Sequence, residues 1–100
     1  MDTLDATLAA VMAGYAGRDL NGDSFLTHNE DRTMMTVVSV ADLRGQHFAG
    51  TSLAAHIAEG QVVIDHDIND RPLVDALIAA GVPRAQIVLA YAGESVTHAA

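Results

Sequence analysis

An α+β fold is predicted by three features of the sequence: an amphipathic helix at the start, several β-rich segments in succession, and a short helix followed by one last strand. No helix-length segment separates the first β-rich segments, so we expect about four strands paired in order as an antiparallel β-meander. The two helices would then cover one face of this sheet. One hundred residues, half of them apolar, suffice for one domain with one modest core.

The first helix is predicted over residues 2–17. Asp2 or Thr3 can cap its start, and Gly17 suits the position after its last turn. An apolar stripe at helical spacing would face the sheet. The stripe consists of Leu4, Leu8, Val11, Met12 and Tyr15.

Four strands are predicted next, over residues 24–28, 33–42, 46–58 and 61–65. In the second of these, Met35 and Val37 would face one side, and both sides are apolar enough for a central strand. Gly50 predicts a bulge or bend within the third strand, and a short helix over 52–59 is the alternative there. The core residues expected from this strand are Phe48, Leu53 and Ile57.

A second helix is predicted over residues 70–80 and a final strand over 86–91. Asn69 or Asp70 would cap this helix, and Pro72 suits its first turn. Gly81 is typical of the left-handed residue that ends a helix. The last strand is a continuous apolar run, which indicates burial on both faces.

Charge and composition limit the classes of function. Thirteen acidic residues against five Arg and no Lys give a net charge of −8, which should repel DNA phosphates. We therefore expect no direct nucleic-acid binding, and an acidic surface that suits a basic partner protein. The sequence has no cysteine, no apolar run long enough for a membrane span and no signal-peptide pattern, so we expect a cytoplasmic protein.

Residues 19–30 resemble a calcium-binding loop and carry an alternative function. Oxygen ligands would come from Asp19, Asn21, Asp23 and Glu30. Ser24, however, stands where the sharp turn of such a loop requires glycine, and the following segment is β-rich. The simpler interpretation is a polar turn that enters a strand, and the alternative is a calcium- or ligand-binding sensor.

A second polar cluster, at residues 56–67, has less metal-binding character. On a regular strand Asp65 and Asp67 share one face and His66 lies on the other, so these three would not converge on one ion. His66 could instead pair with His56 across a hairpin, and these two histidines with Glu59 could bind zinc. The simpler interpretation is that all of them are polar residues facing solvent.

The stretch from His56 to Tyr91 resembles the XisI family. It carries H-I-x-x-G-x-V-x-I-x-x-D and then L-V-x-x-L-I-x-x-G-V-P-x-x-x-I-V-L-A-Y, and the resemblance extends over residues 31–93. Members of that family are known as controlling factors for excision of a DNA element that interrupts a nitrogen-fixation gene in cyanobacteria. The chain departs from the family pattern at Val63, where a Trp is usual, and at Asn69-Asp70, where Thr-Glu is usual.

The resemblance implies a XisI-like domain over residues 1–92. The small and polar residues of 93–100, which have no apolar period, predict a flexible tail. It implies a controlling protein that binds a XisH-like partner of nuclease fold in excision, and the acidic charge suits an antitoxin-like role of covering a basic surface. The sequence has no Cys, no serine in a nucleophile motif and no glycine-rich phosphate loop, so we expect no catalytic residues and no cofactor. Homo-oligomers are also compatible with the sequence. The residues we expect at the partner interface are Arg44, Gln46, His47, Asp70, Arg71 and Asp75.

Overall fold

A computed structural model of the chain describes residues 3–19 and 22–96. Two helices and six strands make up the fold, joined at its C-terminal end by short 3₁₀ turns at Arg84–Gln86 and Ala90–Ala92. The elements are α1 (Leu4–Ala13), β1 (Gly17–Asp19), β2 (Gly22–His28), β3 (Met34–Leu43), β4 (Gln46–Ala58), β5 (Gln61–Asp67), α2 (Leu73–Ala79) and β6 (Ile87–Leu89).

The strands form one mixed sheet in chain order. Strands β1 to β5 pair antiparallel, and β6 pairs parallel with β5 because α2 returns the chain to the same end of the sheet. The α+β prediction is confirmed. The meander holds one more strand than expected, because β1 follows α1 directly.

The first helix is shorter than predicted. Thr3 caps it, since its side-chain oxygen accepts a hydrogen bond from the Ala6 N–H at 3.4 Å. The helix ends at Ala13 with Gly14 as its C-cap, and Gly17 has a φ of 147° at the start of β1. The expectation that Gly17 ends the helix is therefore wrong, because the chain leaves the helix earlier to form β1.

Two-residue turns set the register of the long hairpins. Arg44 and Gly45 both have positive φ, 53° and 77°, and so do Glu59 and Gly60, at 51° and 71°. Positive φ at both central residues is the signature of the type I′ turn, whose twist matches that of the flanking strands. The β3–β4 loop is therefore only two residues long, and Leu43 pairs directly with Gln46.

Neither bulge of the sheet lies at a position that the sequence predicted. Val37 pairs with Leu53 and Val38 with Thr51, so Ser52 is the extra residue, two positions after the predicted site at Gly50. The second bulge places Asp65 as the extra residue in β5. Residues 52–58 continue β4, so the alternative of a helix over 52–59 is wrong.

The second helix begins later than predicted and is held by an unexpected residue. Pro72 occupies the N-cap position without a side-chain cap, so the assignment of Asn69 or Asp70 as the cap is wrong. Instead, the carboxylate of Asp67 accepts a hydrogen bond from the Leu73 N–H at 2.7 Å. At the far end, the predicted stop is confirmed, because Gly81 has a φ of 100°.

The last strand is half as long as predicted. Only Ile87–Leu89 is extended, and Ile87 and Val88 are buried as expected. The chain then turns, which leaves the Tyr91 side chain 47% exposed.

Helices cover only part of the sheet. The core combines residues of α1, α2 and β3 to β6, namely Leu8, Met12, Met35, Val37, Leu53, Ala55, Val62, Ile64, Leu73, Leu77, Val82 and Ile87. Beyond the Ser52 bulge, the described side chains are half-buried or exposed, and Phe48, predicted for the core, is 50% exposed. We call residues 17–19, 22–25 and 38–51 the arm, and the remaining described residues the body.

Neighbouring positions of α2 test this division between core and surface. Leu77 is fully buried and Ile78 is 45% exposed. We expect Leu77→Ala to lower the free energy of unfolding by about 2–5 kcal/mol, because it removes buried methyl groups and leaves a cavity. Ile78→Ala should cost less than about 1 kcal/mol. Urea unfolding followed by circular dichroism measures both, and equal losses would contradict the assigned packing of α2.

Candidate functional site

The six residues predicted for a partner interface form two separate groups. Arg44, Gln46 and His47 lie at the tip of the arm, whereas Asp70, Arg71 and Asp75 lie at the start of α2. The Ile68 N–H bonds to the Ser52 carbonyl, so the chain before α2 passes the middle of β4. From Ser52 to Gln46 an extended strand covers about 20 Å. The structure does not bring the two groups together.

The charged side chains near the tip are balanced. His47 Nδ1 lies 2.8 Å from Asp42 Oδ1 across the hairpin, and both side chains are largely exposed. Further along the arm, Arg18 lies 3.9 Å from Asp23. Exposed pairs of this kind add little stability. With Asp19 counted, the two Arg and three Asp of the arm give it a net charge of −1.

At the start of α2, Arg71 has a structural role. Its guanidinium lies over the Tyr15 ring, 4.4 Å from the centroid, and the Tyr15 hydroxyl donates a hydrogen bond to the Arg71 carbonyl at 3.0 Å. This cation–π contact ties the segment after α1 to the segment before α2. Asp70 and Asp75 are exposed, so they remain the residues of this group that a partner could contact.

The bulge at Asp65 changes the arrangement of the histidines. His56 Nδ1 lies 2.6 Å from Asp65 Oδ2, while His66 pairs across the sheet with Ala54. The expected His56–His66 pair is therefore wrong, because the two-residue turn at Glu59 and Gly60 places His56 opposite Val63. No group of three or more His, Asp or Glu residues within 3–19 and 22–96 is arranged to hold a metal ion.

The backbone is incompatible with the calcium-loop alternative. Asp23 lies near the start of β2, and Glu30 lies in the turn that follows its end. Five residues of extended strand already place His28 about 17 Å from Asp23, so the two carboxylates do not approach one ion. Asn21 and the side chain of Asp19 lie outside the described residues.

A carboxylate clamp, which the sequence reading missed, holds the chain after β6. Glu94 accepts hydrogen bonds from the Leu89 N–H at 2.8 Å and from the Arg84 guanidinium at 2.7 Å. Arg84 also donates to the Ile87 carbonyl at 2.7 Å. The only sequence signal was the pair of opposite charges flanking the last apolar run. Of the tail expected to be flexible, residue 94 is held by these bonds, and 97–100 lie outside the described residues.

A surface cavity of about 350 Å³ lies between the start of α1 and the end of α2. Its lining residues are all uncharged: Leu4, Thr7, Ala80, Gly81, Val82, Pro83 and Gln86. It therefore lacks the ionisable groups that acid–base catalysis requires. No helix in the described part of the chain is both long and apolar enough to cross a membrane.

The Glu94 clamp predicts a pH-dependent contribution to stability. The hydrogen bond from the Leu89 N–H, and then that from Arg84, lowers the pKa of Glu94. A carboxylate with a lowered pKa stabilises the fold above its unfolded pKa, and the contribution is lost as the pH falls through the folded pKa. Glu94→Gln should therefore unfold at lower urea than the wild type at pH 7, and the difference should shrink below about pH 4.3. A difference that stays constant from pH 7 to pH 3 would contradict the clamp.

Comparison with known proteins agrees with this fold. The profile of the XisI protein family matches residues 6–100. A XisI-like protein from Anabaena variabilis ATCC 29413 superposes with a TM-score of 0.65 at 21% identity, covering 86% of this chain and 78% of that one. The fdxN element excision controlling factor XisI from the same organism gives a TM-score of 0.66 at 18% identity, covering 87% and 88%.

A search of curated proteins finds no match. At these identities the solved structures show the shared fold. The sequence resemblance lies at residues 31–93, whereas the family profile matches residues 6–100 and so takes in most of α1 and the tail. The chain belongs to the XisI family.

Proposed function

We propose that this chain is a non-catalytic controlling factor in DNA element excision, and that it acts by binding a partner protein. Membership of the XisI family and the likeness to a structure described as the fdxN element excision controlling factor support this role. The partner class we propose is a XisH-like protein of nuclease fold. The observation that carries the proposal is the acidic surface of the body.

The excess negative charge is concentrated on the body. Its described residues include nine carboxylates: Asp5, Glu30, Asp31, Glu59, Asp65, Asp67, Asp70, Asp75 and Glu94. They include three arginines, of which Arg71 stacks on Tyr15 and Arg84 pairs with Glu94. Such a surface repels nucleic-acid phosphates and attracts basic surfaces. A controlling factor of this charge would cover the DNA-binding surface of its partner, as an antitoxin does.

The outer face of α2 is the part of the body best suited to a protein interface. Asp75 and Ile78 lie three residues apart, so they project from the same side of the helix. Ile78 is 45% exposed, and Asp70 lies just before the helix. An exposed apolar side chain flanked by charged groups matches the usual arrangement of an interface centre and rim.

Several histidines and serines of the sheet hydrogen-bond to other side chains. His56 and His47 each pair with a carboxylate, but neither imidazole is hydrogen-bonded to a hydroxyl group that could act as a nucleophile. The serine hydroxyls of the sheet bond to one another instead, from Ser24 to Ser39 at 2.9 Å and from Ser39 to Ser52 at 3.4 Å.

Co-expression with a XisH-like protein tests the proposal. The wild-type chain should form a complex that weakens steeply with salt and lowers the DNA affinity of the partner, because acidic side chains cover a basic surface. The double variant Asp70→Asn/Asp75→Asn should raise the dissociation constant about tenfold, equivalent to about 1.4 kcal/mol. Isothermal titration calorimetry measures the change.

A matched control removes two carboxylates elsewhere. Glu30→Gln/Asp31→Asn changes the net charge by the same amount in the turn between β2 and β3. If both double variants weaken binding equally, general charge and not the α2 face determines the affinity. If no complex forms at low salt, the partner assignment is wrong.

A further inference from the structure

The apolar run at residues 87–91 has the composition of a segment that pairs readily with other chains. It reads Ile-Val-Leu-Ala-Tyr, without charge or proline, and such a run at the edge of a sheet is an aggregation hazard. Strand β6 forms its first part and, among the described residues, pairs only with β5. The side of β6 that faces away from β5 is therefore an edge of the sheet.

The chain's own residues bind the main-chain groups of this edge. The Ile87 N–H donates to the Arg84 carbonyl, and the Ile87 carbonyl accepts from the Arg84 guanidinium at 2.7 Å. The Leu89 N–H donates to the Glu94 carboxylate at 2.8 Å, and the Leu89 carbonyl accepts from the Glu94 N–H at 3.1 Å. Alternate residues of a strand direct these groups to opposite sides, so Val88 faces β5. Both outward-facing residues of β6 thus have partners for their N–H and their carbonyl.

An ion pair joins the two side chains that cover the edge. Arg84 Nη2 lies 2.7 Å from Glu94 Oε2, while Arg84 Nη1 and Glu94 Oε1 bond to the main chain of β6. A neighbouring strand would supply a donor to the Ile87 carbonyl and an acceptor to the Leu89 N–H. The guanidinium and the carboxylate supply the same two groups. The Arg84–Glu94 pair therefore occupies the position of a further strand.

The sequence places these charges at the two ends of an uncharged segment. Residues 85–93 contain no charged side chain, and Arg84 and Glu94 flank them directly. Charged residues beside an apolar strand commonly act as gatekeepers against aggregation. The opposite edge of the sheet is protected differently, because β1 has only three residues and two of them, Arg18 and Asp19, are of charged types. The apolar edge is the one that the ion pair covers.

We propose that Arg84 and Glu94 close the β6 edge of the sheet and so prevent the run 87–91 from pairing with a second copy of the chain. A second copy that added a strand here would have to displace both side chains from the main-chain groups that they bind. It would also have to break their ion pair, and hydrogen bonds between or to charged groups are the strong ones. This inference concerns self-association, so it goes beyond the proposed function and does not depend on it.

Substitution of Glu94 tests the closure. Glu94→Ala removes the side-chain acceptor of the Leu89 N–H and releases Arg84 from its ion pair, so the edge opens. Sedimentation velocity of the full chain over a range of concentrations measures the result. The concentration at which half of the chain is associated should fall about tenfold relative to the wild type, equivalent to about 1.4 kcal/mol.

A matched control makes the same chemical change elsewhere. Glu30→Ala removes an exposed glutamate from the turn between β2 and β3, and it changes the net charge by the same amount. It should associate no more than the wild type. If Glu30→Ala associates as strongly as Glu94→Ala, charge repulsion and not the closed edge keeps the copies apart, and the proposal is wrong.

A proline substitution locates the association at β6. Leu89→Pro, added to Glu94→Ala, removes the outward-facing N–H and leaves Val88 to bond to β5. The φ of Leu89 is −91°, so only a small change is needed to reach the proline value of about −65°. The double variant should return to the association of the wild type. Because this proline removes packed leucine atoms, such a return would also exclude association through unfolded chains.

Hydrogen exchange followed by NMR at low concentration reports on the edge without any association. The Leu89 amide should exchange about tenfold faster in Glu94→Ala than in the wild type, whereas the Val88 amide should change less. An unchanged Leu89 rate would show that Glu94 does not close the edge. A faster Leu89 rate without stronger association would show that the open edge does not pair. Association of the double variant as strong as that of Glu94→Ala would place the contact elsewhere, and each of these results overturns the proposal.

Discussion

The difference in length between the strands and the helices determines how this molecule is organised. Strand β4 has 13 residues and extends about 43 Å, whereas the ten residues of α1 span about 15 Å and the seven of α2 about 10 Å. Two short helices side by side therefore cover only part of the sheet. The covered part becomes the core, and the rest becomes an arm with two solvent-facing sides.

This division separates two kinds of surface. The body combines a packed apolar interior with an acidic exterior, and its carboxylates also serve the fold, as Asp67 does at the start of α2 and Glu94 does after β6. The arm has little net charge, small side chains around Gly50 and two large apolar side chains near its tip. One chain of 100 residues thus presents a strongly acidic surface on the body and a nearly neutral one on the arm.

Local sequence signals predicted the fold class, because glycines and capping residues mark where each helix and hairpin begins or ends. The Gly81 stop and the glycines of the two tight turns act through backbone conformation, which is a property of one or two residues. The bulges at Ser52 and Asp65 were not predictable in this way, since they depend on how two whole strands align. Phe48 was assigned to the core because apolar strand residues are usually buried, and the sequence does not reveal where the helices end their coverage.

The candidate site was less predictable than the fold. The acidic character of the surface followed from composition, but its restriction to the body depends on which strands extend beyond the helices. Arg71 looked available for a partner, and its contact with Tyr15 comes from residues 56 positions apart. Asp67 is also of a residue type that suits a helix cap, but it lies six residues before the N–H that it binds, so Asn69 and Asp70 were the nearer candidates.

The packing of α1 into a core that it shares with α2 also has a consequence for how the chain reaches its native state. The β-hairpins join neighbouring segments through two-residue turns, so they can form soon after their residues are synthesised. Helix α1 leaves the ribosome first, yet the surfaces that bury Leu8 and Met12 are complete only when α2 has been made. Part of its apolar stripe therefore lacks a partner until α2 has been made. A chain that ends before α2 would leave this apolar surface open to aggregation.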